Sequence, residues 1–245
     1  MNNAAEIFWR TLGAYNTDTW VYQIFMVAVG AALTLSLFAK QTNLRYALMK
    51  LYMAFVCAWI AVVYYMLYCP SRGYGEILAV FWGFMAVLWA CKIFSKNPEI
   101  KVSLNIVSLV LLLGPLIYPI VSKFLGRSFP EITAPIMPCS VAVFSVGLIL
   151  CFEKHINLIL AMMLLHWSLL AVPKTHLYGI VEDYFLALCT VPALYMFSKN
   201  YMLQIAREKT KPSAKVLDAF LISLCVALGV FFAAMILEQF GFIKW

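Results

Sequence analysis

Charge is the scarcest property of this chain. Only 12% of its 245 residues are Asp, Glu, Lys or Arg, against about a quarter in an average soluble domain. Hydrophobic residues make up 64%, and the mean hydropathy is +0.90. A soluble chain of this length cannot hide so much apolar surface, so the expected solvent is a bilayer. Signatures of catalysis are missing too. There is no Gly-rich phosphate loop, no HExxH and no GxSxG. Three scattered histidines (His155, His166, His176) make no haem signature, although a single axial ligand stays open. The seven cysteines (Cys57, Cys69, Cys91, Cys139, Cys151, Cys189, Cys225) form no CxxC pair, which argues against a zinc framework. No metal and no cofactor are expected. The net charge of +7 raises nucleic acid as a partner, but the basic residues sit beside apolar spans. They read as charge that orients a chain in a membrane.

What is present is a series of long uncharged intervals. Between Asp18 and Lys40, Lys50 and Arg72, Lys101 and Lys123, and Glu131 and Glu153 lie 21 residues each. Lys154–Lys174 and Asp218–Glu238 enclose 19, and Glu76–Lys92 and Asp183–Lys199 enclose 15. A spanning helix needs about 20 apolar residues. Six intervals meet this directly, and two do so if Glu76 and Glu182-Asp183 lie at helix ends. The runs are continuously apolar, which favours helices over a barrel. The expected fold is therefore an all-α transmembrane bundle of about eight spans, a seven-helix core plus a C-terminal helix.

The expected organisation is an outer segment 1–18, a core of seven spans over 19–197, a basic connection 198–215, and an eighth span with its tail over 216–245. The first segment lacks the basic start and small-residue cleavage site of a signal peptide. Ile7, Phe8, Trp9 and Leu12 suit an interfacial helix, and a frayed tail anchored by Trp9 and Trp20 suits them equally. Connections after odd-numbered spans carry 12 Lys and Arg against 6 on the other side. The positive-inside rule then makes the first set cytoplasmic and leaves both termini outside.

The stretch from Leu116 to Asp183 organises the rest. Five of the ten prolines fall between Pro115 and Pro138. Pro115 and Pro119 sit in the outer half of span four, and Pro138 suits the first position of span five. The ionisable residues near the outer half are His166, Glu76, Glu182 and Asp183, and such residues in a span are functional candidates by default. His166 could accept a proton, or it could be a neutral ring bonded to a neighbouring helix. The acids could admit a cation or proton, or simply cap helix N-termini. Cys69 and Cys139 map to the outer side, where a disulfide and a pair of apolar packers both remain open.

The residues Tyr118-Pro119, Gly126, Pro130, Pro135, Pro138-Cys139, Gly147, Trp167, Gly179 and Glu182-Asp183 carry a resemblance. Trp59 with Tyr64-Tyr65 adds to it. Through them the chain resembles an uncharacterised family of bacterial polytopic membrane proteins, a domain of unknown function, over spans one to seven. The family tends to have Tyr-His where Tyr64-Tyr65 stands, and a further proline where Ser140 stands. The resemblance implies a bacterial inner-membrane protein and supplies no activity.

Three function classes follow. The first is transport of a small solute, ion or proton, suggested by proline-interrupted spans beside polar groups. The second is a non-catalytic membrane subunit or assembly factor docking through Lys123–Cys139 and Ser198–Lys215. The latter segment could also hold anionic lipid. The third is an outer-face enzyme using His166 or His176 with Asp183. No spacing supplies it with a nucleophile, base and orienting group, so the chain reads more readily as a non-enzyme.

Overall fold

The computed structural model describes residues 3–69, 75–94, 102–103, 105–153 and 156–207, with scattered helical positions between 216 and 234. Among these residues the fold is all-α. The helices are α1 (Asn3–Ala39), α2 (Asn43–Trp59), α3 (Gly75–Cys91), α4 (Ile106–Phe124), α5 (Pro138–Phe152), α6 (Leu158–Tyr178) and α7 (Asp183–Arg207). Helix α2 widens without a break into a π-helical stretch, Ile60–Tyr68, and α3 tightens into a 3-10 turn, Lys92–Phe94. Among the described residues, five helices are long and apolar enough to cross a membrane: α1, α2 with its π-helical continuation (Asn43–Tyr68), α3 with its 3-10 turn (Gly75–Phe94), α4 and α6.

Helix α5 forms the axis. Every residue in it except Phe144 is buried, as expected for a helix that is apolar all round and enclosed by protein. Helices α4, α7, α6 and α2 pack on it, α1 packs on α2 and α6, and α3 packs on α2 and α6. Successive helices run in opposite directions. The bundle thus has an Asp183 end, with the starts of α1, α3, α5 and α7, and a Glu153 end, with their finishes.

Local signals explain several boundaries. Pro138 starts α5, where its missing N–H costs nothing. Asn105 and Ser108 cap α4 reciprocally. Helix α6 ends at Gly179, whose φ of 67° suits glycine, and whose N–H donates to Thr175 O. The turn then delivers Glu182 and Asp183 to the start of α7.

The structure revises the sequence expectation in three places. Of the eight expected spans, five are long and apolar enough among the described residues; α5 has only 15 residues, α7 is not among the five, and most of the expected eighth, 216–245, lies outside the described residues. Residues 3–18 are not a separate interfacial helix. They continue into span one as a single helix of 37 residues, because Phe8, Trp9, Leu12 and Tyr15 are buried against the bundle. The connection at 198–215 begins as helix, since α7 runs on to Arg207, and 208–215 lies outside the described residues. Pro115 and Pro119 sit inside α4, within the span expected of them, and Pro173 and Pro192 sit inside α6 and α7.

Candidate functional site

The proline-rich connection after α4 folds back into the bundle. Thr133, Ala134, Ile136 and Met137 are buried although none is in a helix. In a bilayer, non-helical backbone is tolerated only when protein satisfies its polar groups, and side chains do so here. Asn16 Nδ2 donates to Pro130 O and to Ile132 O, both at 2.7 Å. Tyr15 OH donates to Ile136 O at 3.0 Å. The Thr133 N–H donates to Ser122 Oγ, and the Thr133 hydroxyl lies within bonding distance of Tyr118 O and Glu182 Oε1. Ser140 Oγ donates to Ala134 O. Gln23 Nε2 in turn donates to Asn16 Oδ1 and holds that amide in place.

Asn16 is 2% exposed, and its loss leaves two half-buried carbonyls, Pro130 O and Ile132 O, without this donor. We expect Asn16→Leu to destabilise the fold by about 2 kcal/mol, since half-buried carbonyls stand at the low end of the 1–3 kcal/mol per unsatisfied group. Thermal unfolding in detergent measures it. An unchanged midpoint would mean that water replaces the amide.

Under this connection lies a cavity of about 50 Å³, bounded by Tyr64, Tyr65, Tyr118, Cys139, Lys174 and Asp183 among others. It has room for a few waters. Asp183 is 2% exposed. Its Oδ2 accepts a hydrogen bond from the Cys139 thiol at 3.1 Å. Tyr118 points its hydroxyl at the same carboxyl without completing a hydrogen bond of normal geometry. Lys174 couples electrostatically to Asp183 and Cys139, and its Nζ lies 3.6 Å over the Trp167 ring. The first position of α7 also favours a negative charge through the helix dipole. The π-helical stretch turns the adjacent Tyr64 and Tyr65 both inward, and Tyr15 stacks edge-on to Tyr64. Chemically, the cavity offers one carboxyl, one ammonium, two thiols and several phenols around a space for a few waters.

The structure brings together Asp183, Cys139 and Pro138 of the sequence candidates. Glu182 is buried beside them, facing Thr133. Glu76 is exposed in the first turn of α3 and His166 is half-buried. His166 Nδ1 donates to Met162 O of its own helix at 2.8 Å. Neither lines the cavity. Pro119 lies within α4, next to Tyr118. Cys69 and Cys139 line the same cavity as thiols, unjoined by a disulfide. Among the described residues, no group of three or more His, Cys, Asp and Glu is placed to hold a metal.

Sequence reasoning missed Lys174 and Tyr118 as partners of Asp183. A lysine just past an apolar run looks like an interface anchor, and Tyr118 was legible only as part of a Tyr-Pro motif. It also missed a second buried cluster at the Glu153 end. There Glu153 pairs with Lys92, Tyr46 OH donates to Glu153 Oε1 at 2.6 Å, and Lys50 Nζ donates to Lys92 O at 2.9 Å.

No curated protein and no solved structure matches the chain. A family model does match, over residues 5–208, which takes in all seven helices up to Arg207 and every residue of the Asp183 cavity. The chain therefore belongs to the family described as "Family of unknown function (DUF6064)".

Proposed function

We propose that this is a multi-pass membrane protein in which Asp183 binds and releases a proton during transport. The observation that carries the reading is a buried carboxyl in a water-sized cavity, contacted by a thiol and flanked by a lysine. Ionisable groups away from water are costly in a bilayer and mark proton or ion paths. Cys139 is the second residue of α5 and Asp183 the first of α7, so the thiol–carboxylate bond ties these helices together. Protonating Asp183 weakens that bond and the attraction of Lys174, and releases the start of α7 from the central helix. We also propose the bacterial inner membrane as its location, with the lysine-rich Glu153 end in the cytoplasm, and the C-terminal segment as one more crossing.

The test is proton flux into proteoliposomes, driven by a potassium gradient with valinomycin and read by a trapped pH dye. Asp183→Asn should cut the flux at least about tenfold, the size of effect general acid–base groups commonly carry. His166→Ala and Glu76→Gln should stay near the unsubstituted protein. Equal flux with Asp183→Asn would remove the carboxyl from the mechanism. Absence of flux in the unsubstituted protein would overturn the reading in favour of a non-catalytic membrane subunit.

A further inference from the structure

Among the described residues, the ring of helices around α5 is open on one side. Between α1 and α4 runs a groove of about 280 Å³, with Gly30, Thr34 and Phe38 of α1, Tyr52 of α2, and Leu113 and Leu116 of α4 among its walls. Its two polar walls are internally satisfied. Thr34 Oγ1 donates to Gly30 O at 2.7 Å, and Tyr52 OH donates to Met26 O at 3.0 Å. A cavity of this chemistry stays dry and takes hydrocarbon. Leu35 and Leu113 on its lips are 67% and 57% exposed, so it opens sideways, towards the surface that lipid would cover.

Length and charge select the occupant. From Val27 to Phe38 the groove follows α1 for eleven residues, about 16 Å at 1.5 Å per residue. That is about half of a 30 Å hydrocarbon layer, or one leaflet. At the Phe38 end stand Lys40, which is exposed, and Arg45, which is half-buried. Arg45 Nη1 donates to Ser36 O at 2.7 Å and to Lys40 O at 3.3 Å. These bonds hold the guanidinium at the groove's end. Arg45 precedes Tyr52 by seven residues, two helical turns, and so lies on the same face of α2.

We propose that the groove binds one acyl chain of an anionic phospholipid, whose phosphate is held by Arg45 and Lys40. The proposal rests on the bilayer setting and not on the proton chemistry of Asp183. Basic residues at a membrane surface attract anionic headgroups, and arginine presents a fork of donors suited to phosphate. The groove supplies the apolar half of the same ligand.

The experiment places photoreactive benzoylphenylalanine at position 113 of the full chain. The protein is reconstituted with equal phosphatidylglycerol and phosphatidylcholine, irradiated, and analysed by mass spectrometry. The expected product is the chain plus one phosphatidylglycerol. Arg45→Gln should reduce the preference for phosphatidylglycerol over phosphatidylcholine by about fivefold, and Arg45→Lys should keep most of it. Asp183→Asn should leave the lipid product unchanged, which separates this outcome from that of the flux assay. Cross-links to residues 216–234 or to a second copy would assign the groove to another occupant and overturn the proposal. So would absence of a lipid product, or an Arg45→Gln variant with undiminished preference.

Discussion

Replacing Glu153 with leucine is expected to cost the folded state about 3–5 kcal/mol, the range for removing one partner of a buried ion pair. Glu153 is 8% exposed and Lys50 is 4% exposed. Among the described residues, the carboxylate is the only acidic group in a contact network that contains Tyr46, Lys50 and Lys92. Without it Lys92 loses its counter-charge, and Lys50, which lies 4.5 Å over the Tyr46 ring, keeps a π-face and a carbonyl but no other nearby anion among the described residues. The four side chains come from three elements, α2, the turn after α3, and the end of α5, so the loss is felt by three helices at once. Adding Lys92→Met should recover part of the cost, because an apolar pair needs no counter-charge. Unfolding midpoints of both singles and the double, measured in the same detergent, give the coupling. A Glu153→Leu protein as stable as the starting one would show that water reaches these lysines.

The second large effect is expected at Gly147. A Cβ there would stand 2.7 Å from the Leu112 nitrogen and 2.9 Å from the Leu111 carbonyl carbon. Both are backbone atoms of α4, which cannot rotate aside as a side chain can. Alanine normally helps a helix by about 1 kcal/mol over glycine, but overpacking costs about 1–3 kcal/mol. The clash with backbone makes the upper part of that range the relevant one, so Gly147→Ala should destabilise by about 1–2 kcal/mol net. Gly147→Leu should stop α4 from seating on α5 and yield aggregated protein. Gly83→Ala is the contrast, because the nearest atom to its added Cβ is Ala61 Cβ at 4.0 Å. It should be neutral or slightly stabilising. Size-exclusion profiles and thermal midpoints of the three variants decide it, and a stable Gly147→Leu protein would mean that α4 and α5 do not approach so closely.

Part of the candidate site could be read from the chain. Proline at the head of α5, glycine at the end of α6 and an acidic pair at the head of α7 are local signals. Each reflects what one or two residues can do with their own backbone, and together they place Cys139 and Asp183 at the same end of the bundle. His166 shows where such reading stops. An ionisable residue inside an apolar run looks the same whether it faces a cavity or bonds its own helix, as His166 does with Met162 O. Glu76 shows the same ambiguity at a helix start.

Scarce charge and long apolar intervals determined, without any coordinates, that the chain forms helices suited to a bilayer, because hydropathy and backbone hydrogen bonding act residue by residue. They also implied the alternation of helix directions, since consecutive spans of a bilayer must run in opposite senses. Only the tertiary structure decided that α5 is the axis, that the connection before it folds back inside, and that Lys174 and Tyr118 meet Asp183. In a chain so uniformly apolar, one helix face resembles another, so neighbours are chosen by shape and by a few buried polar bonds. Those depend on residues more than a hundred positions apart, such as Tyr15 with Ile136 or Tyr46 with Glu153, and no local pattern records them.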